Sequence, residues 1–461
     1  MHLANLTTAG FKRILALVFT VFIYSLASAQ ENSPYSRYGI GDIVPNQNIV
    51  NRGMGGIAAG YTNPTITDYK YIKPDFLFQS INLVNPASIA GMNNTIFDVG
   101  GEIDIRTLKS TTSPAKYTAT NTLISYLQIG VPLAKQKWIK KGNYWGLSFG
   151  IRPISRINYK VEKNSRLLSP NLDDSLNTLY EGSGGLNQVN ISTAVKLKNF
   201  SIGVSGGYSF GTKDYSTKLT FINDTVNFYK SNSQAKSRYG GFFLNVGLQY
   251  SIKTTSGLWN LGAYGNLQQN LKAKRDYIDE TITDDGNGGN LTIDTVNYKS
   301  AEKGTIKIPA TYGLGFTYAN SHWLFGADFE TTNWQSYRFY GQKDSSVNNN
   351  WVFRAGVQYY PAKGNTPTNK YWSFVKYRAG FYYGPDYIKL DKTRPYWALT
   401  AGASFPLTNL QHARGEYVIL NTGFEFGSRG NKQSAGVREN ITRINIGISM
   451  NARWFQKRSY D

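Results

Sequence analysis

The stretch Phe242–Tyr250, which reads FFLNVGLQY, determines the predicted fold of this chain. Its even-numbered positions are all apolar or aromatic, whereas the odd-numbered positions after Phe243 are Asn245, Gly247 and Gln249. Successive side chains of a β-strand point to opposite faces, so this alternation predicts a strand with one apolar face and one small or polar face. Strands of membrane-spanning β-barrels have this character, because one face contacts lipid and the other faces the lumen.

The same alternation recurs along the chain, in stretches that include Trp145–Arg152, Ser201–Gly211, Tyr312–Tyr318 and Ile444–Asn451. A water-soluble β-sandwich also alternates, because its strands have one buried and one solvated face. Its solvated face, however, would carry more Lys, Glu and Asp than the Gly and Ser found here. The pattern therefore favours a membrane barrel over a soluble sandwich.

We predict about fourteen such strands, an even number, as in other single-chain bacterial barrels. The predicted spans are 94–106, 121–132, 143–162, 186–197, 200–221, 238–252, 257–273, 306–319, 322–340, 350–361, 371–388, 395–407, 416–428 and 441–455. Long connections, among them 163–185, 222–237 and 274–305, alternate with short ones such as 198–199 and 320–321. Outer-membrane barrels have short periplasmic turns and long extracellular loops, so this alternation of connection lengths supports the strand count. The predicted fold is all-β. It is a fourteen-stranded antiparallel transmembrane β-barrel with both chain ends in the periplasm.

The first residues predict export to the cell outer membrane. Lys12 and Arg13 supply positive charge, the segment from Ile14 to Leu26 is mostly apolar, and Ala27-Ser28-Ala29 resembles a signal-peptidase site. The apolar run of about 13 residues is shorter than the roughly 20 that a membrane-spanning helix needs, which disfavours an N-terminal anchor helix. Residues 1–29 are therefore predicted to be a signal peptide.

Composition sets further limits on structure and partners. The chain contains no Cys, so it has no disulfide framework. Its formal net charge of +21 suits either nucleic acid or anionic lipid. The basic residues are scattered, with no nucleic-acid recognition motif, and export is predicted. We therefore expect outer-membrane lipid and lipopolysaccharide as partners, and no nucleic acid.

Residues 30–93 do not alternate, and we predict that they form a hatch or plug inside the barrel of residues 94–461. The glycine-rich stretches Ser36–Asp42 and Arg52–Gly56 indicate close packing of the backbone against another surface. The alternative is a flexible periplasmic tail. Such a tail would not need the apolar residues between Phe76 and Val84.

The chain resembles the FadL/TodX family of outer-membrane transporters for hydrophobic compounds, of the OMPP1 type. The resemblance rests on a hatch motif and on later strands: Gly53, Gly55, Gly56, Asn85-Pro86-Ala87, Ile308–Gly315, Trp323–Asp328, Asn333-Trp334, Phe353–Tyr359 and Arg378–Phe381. It implies a 14-stranded barrel closed by an N-terminal hatch. The first half of the barrel and the extracellular loops carry no matching motif.

We predict no enzyme activity, no cofactor and no metal site. Gly146–Gly150 and Gly203–Gly207 match G-x-S-x-G, but both lie in predicted strands, whereas a nucleophile elbow requires a strand–turn–helix. His322 and His412 lack partners at metal-ligand spacing. The acidic loop Asp276–Asp294 has Gly and Asn where a calcium loop needs ligands.

Alternation places charged residues of both signs in the predicted lumen: Asp98, Glu102, Asp104, Arg106, Arg152, Asp328, Glu330, Arg354, Arg378 and Glu425. We single out Arg354, Arg378, Asp328, Glu330 and Arg152 as candidate ligand or hatch contacts. Mixed signs suit ion pairs and hydrogen bonds that hold a hatch to the wall. The alternative is that Arg354 or Arg378 binds the carboxylate of a ligand.

The predicted function is passive transport of hydrophobic, fatty-acid-like small molecules across the outer membrane. The substrate would enter from outside, and movement of the hatch or a lateral opening of the wall would release it. The alternative is a barrel subunit or scaffold of an outer-membrane secretion or assembly complex, such as type IX secretion. An outer-membrane lipase is disfavoured because no Ser/His pair lies at a predicted lumen edge.

Overall fold

The computed structural model describes residues 33–65, 68, 78–110, 116–169, 172–222, 229–285, 289–362, 370–390, 392–408, 416–430 and 437–452. The predicted signal peptide, His412 and the apolar residues Phe76 and Leu77 lie outside the described residues. Among the described residues, no helix is long and apolar enough to cross a membrane.

The wall is one antiparallel sheet of fourteen strands that closes on itself, as predicted. In chain order the strands are β1 (Thr95–Ser110), β2 (Lys116–Pro132), β3 (Asn143–Ser169), β4 (Leu172–Leu197), β5 (Phe200–Ile222), β6 (Lys230–Lys253), β7 (Leu258–Asn266 and Gln269–Asp284), β8 (Asn290–Ile308 and Thr311–Ala319), β9 (Trp323–Thr332), β10 (Asn350–Tyr359), β11 (Lys376–Pro385), β12 (Pro395–Pro406), β13 (Tyr417–Arg429) and β14 (Val437–Ala452). β14 pairs with β1 from Ala452 opposite Thr95 to Val437 opposite Ser110. Closure gives strand backbones hydrogen-bond partners where no water is present.

The two faces of the strands divide as the alternation predicts. On β5, Ile202, Val204 and Phe210 are exposed on the outside, whereas Ser205 and Ser209 are buried on the inside. In an outer-membrane barrel the exposed apolar face contacts lipid. The short turns, such as the one between β4 and β5, mark the periplasmic end.

The strands on one side of the barrel extend far beyond their predicted ends. β3 has 27 residues, whereas β9 and β10 have 10 each. The predicted loop 163–185 is therefore mostly a paired hairpin of β3 and β4, and most of the predicted loop 274–305 belongs to β7 and β8. Outside the membrane both faces of a strand meet water, so these extensions lack the alternation that marks a strand in lipid.

The wall is interrupted between β2 and β3. These two strands pair only along residues 127–132 and 146–151, although both continue toward the extracellular end. The remaining part of β2 pairs with β1 alone. Ile124 lies beside the interruption with 54% of its surface exposed, so the part of the interruption nearer the periplasm borders lipid.

The N-terminal segment occupies the edge of β3 that β2 leaves unpaired. Its two-residue strand places Ile43 opposite Ser155 and Asp42 opposite Arg156. Arg156 Nη2 also donates a hydrogen bond to Asn121 Oδ1 of β2, at 2.6 Å. The interruption is therefore closed by the N-terminal segment and by a side-chain bridge rather than by a continuous ladder.

The described part of residues 33–94 lies inside the ring of strands. It contains the 3-10 helices Pro34–Arg37 and Pro86–Gly91 and the short α-helix Ile49–Arg52. Its partners lie on different sides of the wall, since Pro86–Gly91 packs on β3, β4, β5 and β6 while Ile49–Arg52 packs on β12, β13 and β14. The interior is thus built around this segment.

Candidate functional site

A chamber of about 220 Å³ lies inside the barrel, between the N-terminal segment and the extracellular half of the wall. Its apolar and aromatic lining includes Ile40, Ile43, Val44, Ile154, Leu186, Ile308, Trp334, Val352, Tyr382, Tyr387 and Tyr396. Two of these residues, Ile43 and Ile154, belong to the segments that meet at the interruption in the wall. The chamber therefore lies directly behind the interruption.

One side of the chamber is densely charged. Arg52 of the N-terminal segment places Nη2 2.5 Å from Glu102 Oε2 of β1 and Nε 2.6 Å from Glu425 Oε1 of β13. Arg443 of β14 lies 3.6 Å from Glu102 Oε1 and 3.3 Å from Glu425 Oε2. All four side chains are buried. Because each buried charge has an opposite partner at short range, part of the desolvation penalty is offset.

A second ionic cluster lies nearer the extracellular end. Arg429 pairs with Asp42 at 2.7 Å and with Asp386 at 3.0 Å, and Asp386 also pairs with Arg394 at 3.1 Å. Arg106 forms a further ion pair with Asp42. Burial alone would raise the pKa of the Asp42 carboxyl, but the guanidinium groups of Arg106 and Arg429 hold that pKa well below its usual value. Asp42 is therefore a fixed negative charge beside the strand that closes the interruption.

Three of the five singled-out lumen residues line the chamber: Arg354, Glu330 and Arg152. Arg354 Nη2 donates a hydrogen bond to Glu330 Oε1 at 3.0 Å. Arg152 Nη1 donates to the carbonyl of Asn46 at 3.1 Å, which ties the wall to the N-terminal segment. The carboxylate of Glu330 already occupies part of the guanidinium of Arg354.

The other two, Asp328 and Arg378, do not line the chamber. Asp328 Oδ2 accepts hydrogen bonds from the backbone N–H groups of Ala58 and Ala59, at 2.5 and 2.8 Å. Arg378 Nη1 donates to Ser404 Oγ of the neighbouring strand at 2.6 Å. Asp328 therefore holds the N-terminal segment, and Arg378 braces the wall.

Asn85-Pro86-Ala87 forms the start of the second 3-10 helix. Asn85 Oδ1 accepts the backbone N–H of Ala87 at 3.1 Å, which caps the helix. Its Nδ2 donates to the carbonyls of Ala59 at 2.7 Å and Leu248 of β6 at 3.2 Å. Pro86 follows at the first helical position, where a missing N–H is tolerated. Asn85 thereby joins two parts of the N-terminal segment to the wall.

Gly53, Gly55 and Gly56 allow this segment to lie directly against the wall. Gly55 has φ +69°, and a Cβ there would lie 2.5 Å from the carbonyl oxygen of Phe381. Gly56 has φ +85°, and a Cβ at Gly53 would lie 3.2 Å from the Cα of Gly402. Gly55 and Gly56 adopt the left-handed backbone region that side chains disfavour.

Several charged residues of the interior were not among the predicted set: Asp42, Arg52, Asp386, Arg394, Arg429, Glu439 and Arg443. Alternation on β14 assigns Arg443 to the lumen, because its neighbour Ile444 faces outward. Asp386 and Arg394 lie between strands, where alternation carries no information. Among the described residues, no group of three or more His, Asp or Glu side chains is arranged to hold a metal ion.

Comparison with known proteins identifies the family to which this chain belongs. The BamG family model matches residues 11–461, almost the whole chain. The chain belongs to the BamG family. No functionally curated protein matches the sequence of this BamG-family chain.

Solved structures show what the BamG-family fold is similar to. The Pseudomonas putida toluene transporter TodX is 13% identical, with TM-score 0.53 over 90% of this chain and 100% of TodX. The Ralstonia pickettii toluene transporter TbuX is 15% identical, with TM-score 0.52 over 88% of this chain and 99% of TbuX. A Pseudomonas aeruginosa FadL homologue is 14% identical, with TM-score 0.51 over 90% and 98%. This BamG-family protein is therefore an outer-membrane β-barrel with the fold of FadL-like channels.

Proposed function

We propose that this barrel conducts small hydrophobic molecules passively across the outer membrane. The observation that supports the proposal best is the position of the chamber, which lies directly behind the interruption between β2 and β3. The N-terminal strand and the Arg156–Asn121 bridge lie between the chamber and this interruption. The proposed release is lateral, into the membrane.

The N-terminal segment is the hatch of this proposal. It fills the lumen below the chamber, and Arg52, Asn85 and the backbone at Ala58 fasten it to the wall. Movement of the whole segment would break many buried ion pairs and hydrogen bonds. Movement of Ile43 and its neighbours alone would break fewer, chiefly the ion pairs of Asp42 with Arg106 and Arg429 and the backbone contacts with β3, so local opening at β3 requires less free energy than expulsion of the hatch.

The lining of the chamber fits a small apolar ligand with little polar content. Ligand pockets for drug-sized molecules are roughly 300–1,000 Å³, whereas this chamber holds about 220 Å³. Trp334, Tyr387 and the aliphatic side chains provide the apolar contacts. Arg354 is paired with Glu330, so we assign it to support of the site rather than to capture of a carboxylate. Two structures of similar fold are described as toluene transporters, which accords with this substrate class. No step of the proposal involves catalysis.

Uptake by cells with and without the gene tests the proposal. Radiolabelled toluene and a long-chain fatty acid would be supplied to wild-type cells, deletion cells and cells complemented with the full chain. We expect the deletion to lower the initial uptake rate of at least one probe and the complementing gene to restore it. Unchanged uptake of both probes, together with loss of secreted or other outer-membrane proteins, would instead indicate a subunit of a secretion or assembly complex.

A further inference from the structure

Four basic side chains cluster on the outer face of the barrel: Arg238 on β6, Lys272 and Lys274 on β7, and Lys303 on β8. We call this group the basic patch. All four side chains are exposed. In the strand ladder Arg238 lies opposite Lys274, and Lys274 lies opposite Lys303. Like charges directly opposite each other on neighbouring strands destabilise a sheet, so an anion bound at the patch would relieve this repulsion.

The carboxylate of Asp276 lies beside the basic patch and attracts Arg238 without forming an ion pair with it, so the charge of the basic patch is only partly balanced. Lys236 and Arg275 have their own partners, Asp214 at 3.7 Å and Glu302 at 2.6 Å. Asp276 accepts hydrogen bonds from the backbone N–H of Ala301 at 2.8 Å and from a Ser300 hydroxyl at 3.3 Å. Within the described part of the chain, no carboxylate forms an ion pair with a residue of the basic patch.

The basic patch lies directly at the extracellular limit of the lipid-facing band. On β6 the outward positions toward the extracellular end are Leu244, Phe242, Gly240 and then Arg238. Phe242 is 81% exposed and contacts Tyr208 of β5, with ring centroids 5.3 Å apart. The basic side chains are therefore at the level of the outer-leaflet head groups, and the rings below are at the level of the acyl chains.

An open depression in the outer surface joins the two levels. It has a volume of about 1300 Å³ and is lined by all four basic residues, by the carboxylate of Asp276, and by Tyr208 and Phe210. Glycines Gly184, Gly211 and Gly240 also line it, which leaves room for a ligand against the sheet. Charge, depth and apolar floor thus occur on one continuous surface.

We propose that the basic patch binds the phosphate groups of a phosphorylated glycolipid of the outer leaflet, whose acyl chains lie against Tyr208, Phe210 and Phe242. Arg238 provides a planar pair of donors suited to two phosphate oxygens, and the three lysines provide compact positive charges. The inference rests on the outer-membrane location and on the outer wall. It is independent of the proposed transport, because the chamber lies on the other face of the sheet.

Native mass spectrometry of the full chain in mild detergent tests the site, with bisphosphorylated lipid A as the titrated probe. The test variant is R238Q/K272Q/K274Q/K303Q. The matched control, K135Q/K137Q/K140Q/K141Q, removes the same charge from an exposed periplasmic turn. Each basic residue near an anionic surface contributes roughly a factor of five in affinity. We therefore expect the Kd of lipid A to rise at least about 100-fold in the test variant and little in the control.

Heat-modifiable gel mobility would show that both variants are folded barrels. Equal lipid A affinity of the test and control variants would overturn the proposal. Equal binding of dephosphorylated lipid A to the wild type would also overturn it, because phosphate would then play no part. Displacement of lipid A by equimolar inorganic phosphate would reduce the patch to a site for free anions and contradict the lipid assignment.

Discussion

At the scale of single residues, Gly55 shows how closely the N-terminal segment approaches the wall. In Gly55→Ala, the added methyl would meet the carbonyl oxygens of Phe381 and Ala355 at 2.5 and 2.6 Å, with φ at +69°. We expect the free energy of unfolding to fall by about 3 kcal/mol, because overpacking adds to the left-handed backbone strain. Urea unfolding in detergent micelles, followed by tryptophan fluorescence, measures this loss.

Gly142→Ala is the matched control for that experiment. Gly142 has φ +76°, but nothing lies within 4 Å of a Cβ built there. The free energy of unfolding of Gly142→Ala should fall only by the strain of a left-handed alanine backbone, about 1 kcal/mol. If both variants lose the same stability, the close approach of the segment to β10 and β11 is wrong.

Asp68 provides a prediction for pH dependence. Burial alone would raise the pKa of its carboxyl. The charge of Lys196 at 3.1 Å, hydrogen bonds donated by Thr65, and the charge of Lys253, also at 3.1 Å, together keep that pKa below its ordinary value. A carboxyl with a lowered folded-state pKa adds stability above its unfolded pKa of about 3.9, and loses it as pH falls further. In urea unfolding, the stability difference between the wild type and Asp68→Asn should be constant from pH 7 to about 5. It should shrink below about pH 4. A difference that grows as the pH falls would contradict the assignment.

Which charged residues face the lumen could be predicted from the sequence, but their individual partners could not. Alternation on a strand determines the face on which a side chain lies, which is why Asp328 and Arg354 were in the predicted set. The backbone N–H groups that Asp328 binds belong to Ala58 and Ala59, about 270 residues earlier in the chain. No local pattern reports such a pairing, and Asp386 lies in a loop that has no period.

At the scale of elements, strands inside the membrane were predictable and their extracellular continuations were not. The segment Ser201–Gly211 alternates because lipid covers one face, and it lies within β5. β8 begins at Asn290, within the predicted loop 274–305. Residues on both faces of this part of β8 are exposed, so the alternation of apolar and polar residues that marks a strand is absent. The interruption between β2 and β3 depends on which strands pair over long range, which the sequence of either strand does not reveal.

The two-residue strand at Ile43 provides the prediction for this scale, and it depends on the proposed transport. Directly opposed residues of an antiparallel pair lie about 4.5–5.5 Å apart, within the range of a disulfide. Ile43→Cys with Ser155→Cys would join the N-terminal strand to β3, and the natural chain has no competing Cys. We expect oxidation to abolish uptake of the apolar probe in cells, and reduction to restore it.

A cysteine pair at Ala403 and Thr422 is the control, since these residues are also directly opposed but belong to the continuous ladder of β12 and β13. Oxidation of this pair should leave uptake unchanged. If the oxidised Ile43–Ser155 pair transports at the wild-type rate, lateral release past this strand is excluded, although transport by another route would stand.

At the scale of the whole molecule, the N-terminal segment and the closure of the barrel depend on one ionic network. β14 and β1 are the last and first strands, and their pairing closes the wall. Arg443 of β14 and Glu102 of β1 belong to the network around Arg52, which also includes Glu425 of β13. The segment that comes first in the chain is thus linked to the strands that complete the barrel, so its docking and closure of the wall should be energetically coupled.

Arg52→Met tests this coupling, because it leaves Glu102 and Glu425 buried beside an apolar side chain. Breaking a buried ion pair from one side costs about 3–5 kcal/mol, mainly from the uncompensated charge that remains. We expect a loss of that size in urea unfolding monitored by heat-modifiable gel mobility. Arg52→Met combined with Glu425→Gln restores the charge balance and should recover part of the loss. If the double variant is less stable than the single one, the hydrogen bonds that Glu425 makes to Arg443 and Asn445 matter more than the balance of charge. The contacts between β13 and β14 would then stabilise the seam of the barrel more than the charge of Arg52 does, which would contradict strong coupling to the N-terminal segment.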